Sequence, residues 1–428
     1  MNINMKYGKT GLSIDLPGDI DVTLIQKKTM PVLADPEGAV KAVFSNPLYC
    51  KTLREEAKGC RSCCILICDI TRPVPNGLIL PHLIKELIEA GMAPGSITVL
   101  VATGLHRPNV GDELRELVGS DWVLGAVTVA NHFARQDDDH EYLGTTSGGI
   151  EARLDRRFIQ AGLRIAVGLV EPHFMAGYSG GRKVVVPGIA HEKTIRAFHC
   201  ARVLEDRRAA NCIIEGNPLH AVQMEIMQML GRCLAVNTVI DEDRRLSFVN
   251  FGEIEESHLE AVSFVRPYAE VRLNTRFKTI VTSSGGYPLD KTYYQTVKGM
   301  VGALDILEPD GDLIIVSECS EGIGSPDYAE AQMCLTDEGP DRFLRGIIEK
   351  KYAAIDEWQT EMQVKAMKRG HIFLYTGGLA KDQQALTGVT VIESPLAAVT
   401  ESVKTQGDRR IAVVPEGPYV IPMFVPGP

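Results

Sequence analysis

The stretch Glu171-Pro172-His173-Phe174-Met175-Ala176-Gly177-Tyr178-Ser179-Gly180-Gly181-Arg182-Lys183 gathers residue types that acid–base and anion chemistry need. His173 offers an imidazole that titrates near neutral pH. Gly177, Gly180 and Gly181 let the backbone approach a ligand closely and adopt positive φ, and Arg182 and Lys183 add two cations. A nucleotide P-loop is excluded, because Val184 follows Lys183 where that motif requires Ser or Thr. Two other stretches set a polar side chain beside an arginine and a proline: Asp69-Ile70-Thr71-Arg72-Pro73 and Thr103-Gly104-Leu105-His106-Arg107-Pro108. Taken singly, Asp69 reads as a turn cap and His106 as a surface histidine. Together, His106 and His173 can move protons while a planar guanidinium such as Arg72 holds a carboxylate bidentately.

Strands must position these loops. Residues 164–170, 64–68 and 97–102 read as buried strands, so each of the three loops opens at a strand's C-terminal end on one rim of a parallel sheet. The pattern predicts a helix over 81–90, stopped by Gly91, a helix over 191–204 that carries His199, a helix over 218–230 and a strand over 233–240. An amphipathic helix around 262–275 is expected to join two domains. A second α/β unit begins with a strand at 279–282 and a helix over 289–307, on which Gln295 and Lys298 share a face at i and i+3, next to Tyr294. Strands near 311–316, 371–375, 389–392 and 410–414 follow, with helices near 340–350 and 355–368 and Trp358 near the start of the latter. Residues 1–49 read as short strands and loops, and the tail after Val414 as an irregular strap. The expected fold is α/β: two α/β domains with mainly parallel sheets, 1–265 and 276–414, a linker at 266–275, a tail at 415–428, and a functional site in the cleft between the domains.

The whole chain narrows the function classes. Its 428 residues suffice for two or three domains, and 45% hydrophobic with 23% charged residues is ordinary globular composition. Lys+Arg 45 against Asp+Glu 55 leaves a net charge of −10, which argues against a general nucleic-acid binder. No basic-and-apolar leader and no bilayer-length apolar run are present, so a cytoplasmic protein without membrane association is expected. Among ten cysteines, Cys60-x2-Cys63 has no second pair at ligand spacing; reduced, buried thiols at Cys60, Cys63, Cys64 and Cys68 are expected instead. An NAD-linked oxidoreductase lacks its GxGxxG after an early strand.

In order and spacing, Asp69-x-Thr71-Arg72-Pro73, Gly104-x-His106-Arg107-Pro108, Pro172-His173-x-x-Ala176-Gly177-Tyr178-Ser179-Gly180-Gly181-x-Lys183, His199, Gln295-x-x-Lys298 and Trp358 resemble the motifs of the lactate racemase family, the nickel-pincer-nucleotide enzymes of 2-hydroxy acids. The resemblance implies an isomerase, a racemase or epimerase, whose N-terminal domain binds the cofactor pyridinium-3-thioamide-5-thiocarboxylic acid mononucleotide with Ni(II). It implies a tether at Lys183 and nickel coordination completed by His199, near square-planar with two sulfurs and a ring carbon. His106 and His173 correspond to two opposed bases, and Arg72, Gln295, Lys298 and Tyr294 to substrate contacts. Asp69, Thr71, Ser179, Gly180, Arg182 and Trp358 correspond to the cofactor's surroundings, with the glycine loop offering donors to its phosphate. The implied partners are a small 2-hydroxy acid and the proteins that build the cofactor.

Such a cofactor has a chemical rationale. The C2 hydrogen of a 2-hydroxy acid is poorly acidic beside a carboxylate that is already anionic. Removal as hydride avoids piling charge on charge, and return to the other face of the planar 2-keto acid inverts the centre. A non-catalytic nickel-nucleotide carrier would need Lys183, His199 and the phosphate loop but neither His106 nor His173. An oxidoreductase on 2-hydroxy acids would share the first half of the reaction.

Overall fold

The computed structural model describes residues 1–427 and divides into two compact units. The first comprises Thr29–Phe198 and Ile213–Arg266; the second comprises Met1–Lys28, His199–Cys212 and the chain from Pro267 onward. Both are α/β.

The six strands of the first unit's sheet lie in the order Leu246–Glu253, Leu234–Ile240, Leu163–Leu169, Cys63–Cys68, Ile97–Ala102, Thr128–Asn131. All neighbours are parallel except the antiparallel pair at the Leu246–Glu253 edge. The central strands are apolar on both faces, which is why their sequences run without alternation. Ile65, Ile67, Val99, Val101, Ile165 and Val167 enter one core with Phe44 of helix Pro36–Ser45 and Leu83 of helix Asn76–Glu89. Leu66, Leu100 and Ala166 enter the opposite core with Val185 and with Ile226 of helix Pro218–Leu230. Each large side chain buried this way is worth about 1.5–3 kcal/mol.

Chain order fixes where a ligand belongs. From the central strand Cys63–Cys68 the chain steps outward through Ile97–Ala102 and Thr128–Asn131, then returns to the other side with Leu163–Leu169. The loops after Cys63–Cys68 and Leu163–Leu169 therefore part in opposite directions, leaving a crevice at the carboxyl ends, the usual ligand position of an open α/β sheet.

In the second unit the order is Thr390–Ile392, Gly370–Tyr375, Leu307–Val316, Phe277–Ser283, Arg410–Val414, Asp21–Leu24, all parallel. The hairpin of Asn2–Met5 and Leu12–Asp15 packs Ile3, Met5, Ile14 and Leu16 against Val281, Ile314, Ile411 and Val413. The first 28 residues thus belong with the C-terminal sheet, whereas a single domain over 1–265 was expected; burial of that hairpin's apolar face decides the matter. Residues 199–212 join the same unit, with Ala201 packed among Leu335, Phe343, Ile347 and Val364.

Several elements depart from expectation. The helix over 191–204 is two pieces, Glu192–Phe198 and Ala201–Leu204, because Cys200 is extended at φ −74°, ψ 152°, so His199 sits in the break. The helix around 262–275 is Ile254–Ala269, and Glu270–Leu273 is instead a strand, paired with Ile421–Phe424 of the supposedly irregular tail. Residues 1–49 include the helix Pro36–Ser45, begun by Pro36 at its first position and capped by Asp35. Cys63 and Cys64 are buried, Cys60 and Cys68 partly so, and all ten cysteines are free. Among the described residues no helix is long and apolar enough to cross a membrane.

Candidate active site

Strands Leu163–Leu169, Cys63–Cys68 and Ile97–Ala102 are neighbours in the first unit's sheet, and each leads into a loop bearing expected residues. After Cys63–Cys68 comes Asp69, buried, which accepts the Thr71 hydroxyl at 2.5 Å on one oxygen and meets His106 Nδ1 at 2.6 Å with the other. Burial pushes the Asp69 carboxyl up, but the His106 imidazole and the Thr71 hydroxyl outweigh it and hold the pKa below the usual range. An ionised carboxylate only accepts, so His106 Nδ1 carries a proton, and in the neutral ring Nε2 keeps its lone pair. With its side chain 61% exposed, that imidazole is accessible to a substrate. The loop bearing it is fastened by Gly104 N–H to Gly188 O at 2.9 Å, just beyond the Lys183 turn.

Arg72 crosses the switch point to Glu171, its Nη1 hydrogen-bonded to Glu171 Oε1. Burial works against the cation, but the Glu171 charge, Cys68, Asp69 and the Glu171 hydrogen bond together outweigh it, so the guanidinium's pKa is raised. The other guanidinium nitrogens have no partner among the described residues, which leaves donors for a second carboxylate.

The glycine-rich stretch is a tight hairpin in which His173 pairs with Gly177. His173 Nδ1 accepts the backbone N–H groups of Met175 and Ala176 at 3.3 and 3.1 Å. A neutral His173 therefore carries its ring proton on Nε2, the tautomer opposite to that of His106. Ser179 Oγ donates to Leu169 O at 2.7 Å and accepts Glu171 N–H at 3.1 Å, tying the loop back to its strand. Gly180 and Gly181 stand at φ +78° and +48°, and a Cβ on Gly181 would lie 2.9 Å from the His258 Cβ. Their N–H groups have no acceptor among the described residues.

Arg182, expected over the cofactor, is turned beneath the loop and is 1% exposed. Its Nη2 donates to Ala176 O at 3.1 Å and its Nη1 to the His258 ring, 3.2 Å from Nδ1, while His258 Nε2 donates to Ser179 O at 2.8 Å. No carboxylate bonds it, and burial pushes the guanidinium down to about 9. Lys183, half-buried in the short helix Arg182–Val185, has no side-chain hydrogen bond or ion pair among the described residues. Burial, then the Arg72 charge, lower its ammonium to about 7.

In the second unit His199 packs against Trp358, ring centroids 4.9 Å apart and 35° between planes. Trp358 Nε1 donates to the Tyr294 hydroxyl at 3.3 Å, and Gln359 Nε2 to the Tyr294 carbonyl at 2.6 Å. Gln295 follows on the helix Tyr293–Gly302, its buried Oε1 unpaired, with Lys298 one turn on. So His199, Trp358 and Tyr294 form one connected group, as Asp69, Thr71 and His106 do in the first unit.

Residues 7–211 match the lactate racemase N-terminal domain and residues 274–422 the lactate racemase C-terminal domain. The chain belongs to the lactate racemase family. It is 29% identical over 429 residues to the lactate racemase of Thermoanaerobacterium thermosaccharolyticum, covering 98% of this chain and 99% of that one. It is 28% identical to the lactate racemase of Lactiplantibacillus plantarum over 386 residues, 89% of this chain and 90% of the other. The structure of the Thermoanaerobacterium lactate racemase apoprotein superposes with a TM-score of 0.91 at 28% identity, covering 99% of this chain and 100% of that one. A Thermotoga maritima protein shares the fold alone, with a TM-score of 0.67 at 17% identity over 92% of this chain and 99% of its own.

Within this lactate racemase family frame, three residues escaped the sequence reading. Glu171 was visible at the head of the loop, but its pairing with Arg72, 99 residues earlier, was not. His258 lies on a helix far from the loop it supports and has no local signal. Cys68, at a strand end, acts electrostatically on Lys183.

Proposed function

We propose that this chain inverts C2 of a 2-hydroxy acid, lactate or a related 2-hydroxy carboxylate, moving the C2 hydrogen as hydride through a 2-keto acid. The observation that carries the reading is the Asp69–His106 pair, 2.6 Å apart, which leaves His106 Nε2 as an accessible base on the rim that also holds Arg72.

The family resemblance implies a nickel-pincer nucleotide as the resident cofactor, and the residues present fit it. Gly180 and Gly181 offer unpaired N–H groups in a turn that a Cβ would fill, and the Lys183 amine has no partner among the described residues. Lys183 would tether the group, the Gly180–Gly181 turn would receive its phosphate, and His199 would give an imidazole nitrogen to nickel. When bound, it supplies a reversible acceptor for the C2 hydride.

The chain's own residues do the rest. Arg72 holds the substrate carboxylate with the donors that Glu171 leaves unused, and Gln295, Lys298 and Tyr294 add donors. His106 Nε2 takes the hydroxyl proton as the carbonyl forms, a service worth about 10²–10⁴-fold. His173 presents Nε2–H to the same oxygen, so a group stands ready on each side when the centre returns inverted.

The test is expression alongside the proteins that build the nucleotide, followed by nickel analysis, the mass of the Lys183 peptide and a screen of enantiopure 2-hydroxy acids. Stoichiometric nickel and racemisation of at least one acid are expected. A protein that acquires neither nickel nor adduct and racemises none of them overturns the reading.

A further inference from the structure

The loop that carries His106 is gripped at both ends by one edge strand. At its start Thr103 is buried, and the Thr103 carbonyl accepts the His106 N–H at 2.9 Å. The Thr103 hydroxyl donates to His132 O at 2.8 Å, with the His132 Nδ1 3.4 Å away, and the His132 N–H donates to Val101 O at 3.0 Å. At the loop's other end the Asn109 N–H donates to Asn131 Oδ1 and Asn131 Nδ2 donates to Asn109 O, both at 2.9 Å. Asn131 and His132 are consecutive: the last residue of the sheet's edge strand Thr128–Asn131 and the one that follows it.

A second buried histidine holds the first. His132 is 1% exposed and His140 3% exposed, and their Nε2 atoms lie 2.9 Å apart. The His140 Nδ1 donates to Gln136 O at 2.7 Å, a carbonyl that can only accept. Burial depresses the pKa of His140 and pushes that of His132 down to about 3, so both rings are neutral at pH 7. A neutral His140 therefore has a bare Nε2, and His132 Nε2–H must be the donor to it. His140 in turn meets His191 edge-on, ring centroids 5.0 Å apart at 87°, and His191 Nε2 donates to Asp137 Oδ1 at 2.7 Å while its Nδ1 accepts the Lys193 N–H at 3.1 Å.

We infer that Asn131, His132 and His140 are positioning residues for His106, a clamp that fixes the backbone from which the imidazole projects. Asp69 turns the ring; the clamp sets where the ring stands. The division matters because a base works only within hydrogen-bond reach of its proton, and a misplacement of about 1 Å costs on the order of 10²-fold in rate. The inference rests on the reading of His106 as the base, but the clamp itself can be measured in the unloaded protein.

Hydrogen exchange of the full-length unloaded protein, resolved by peptide mass, reads the amides of the 104–109 loop against those of the strand Leu163–Leu169. His140→Phe removes the acceptor of His132 Nε2–H, and Thr103→Val removes the hydroxyl at nearly constant shape, so the second variant decides if the first fails to fold. Each should speed exchange in the loop by about tenfold or more and leave the reference strand unchanged. His140→Gln, whose Oε1 can accept the His132 proton, should restore most of the protection. In the nickel-loaded enzyme the two loosening variants should lower kcat by about 10–10²-fold with KM within about twofold, because Arg72 lies in a separate loop. Unchanged loop exchange, equal loss of protection in the reference strand, a His140→Gln no better than His140→Phe, or an unchanged kcat in a loosened variant overturns the inference. If the unaltered loaded protein racemises nothing, the racemase reading fails by itself, and the exchange rates still decide whether the clamp holds the loop.

Discussion

Asp69 decides which nitrogen of His106 can receive a proton. Its carboxylate, held ionised by His106 and Thr71 against the push of burial, fixes the imidazole with Nε2 bare. Asp69→Asn keeps the shape but lets the amide present an N–H to the ring, so kcat of the matured enzyme should fall by about 10²–10⁴-fold with little change in KM. An unchanged kcat would show that the dyad does not orient the base. His106→Ala should cause a loss of the same order, read as racemisation rate at saturating substrate, and a variant that turns over normally would remove His106 from the mechanism. At this scale the sequence announced residue types and withheld pairings. His106 and Arg72 were legible because they end strands beside prolines, whereas Glu171 as Arg72's partner and the inward turn of Arg182 depend on contacts between distant segments.

The loop from Glu171 to Lys183 works as an element because two of its residues cannot carry a side chain. At Gly181, φ is +48° and a Cβ would press on His258, which itself bonds Ser179 O. Gly181→Ala should therefore lower stability by about 1–3 kcal/mol and, by shifting the turn, reduce nickel retention after co-expression. Thermal unfolding and metal analysis check both, and a variant with the original nickel content would show that the turn does not shape the cradle. Buried strands such as Ile97–Ala102 and Arg410–Val414 were legible to the residue, because burial on both faces leaves a mostly apolar run without alternation. The break at His199 was not, since the flanking residues keep helical spacing and only Cys200's extended backbone ends the helix.

For the whole molecule, histidines set the acid limit. Burial pushes His132 down to about 3 and His220 to about 4, and it depresses His140 and His258 as well. Below about pH 6.5 the unfolded chain takes up protons that the folded chain refuses, so stability is intact above that pH and falls as pH drops towards 4, by about 1.4 kcal/mol per pH unit for each of His132 and His220, with His140 and His258 acting in the same direction. Urea midpoints at pH 7.5 and pH 5 should differ in that direction; equal midpoints would mean that these rings are hydrated. The two-unit α/β plan was legible, but the place of the first 28 residues was not, because an amphipathic hairpin does not say which sheet it will cover. The central claim concerns what leaves C2. An enantiopure 2-hydroxy acid carrying deuterium at C2, turned over in ordinary water by the nickel-loaded enzyme, should yield the opposite enantiomer with its deuterium retained; exchange of that deuterium for solvent hydrogen during turnover would contradict hydride transfer.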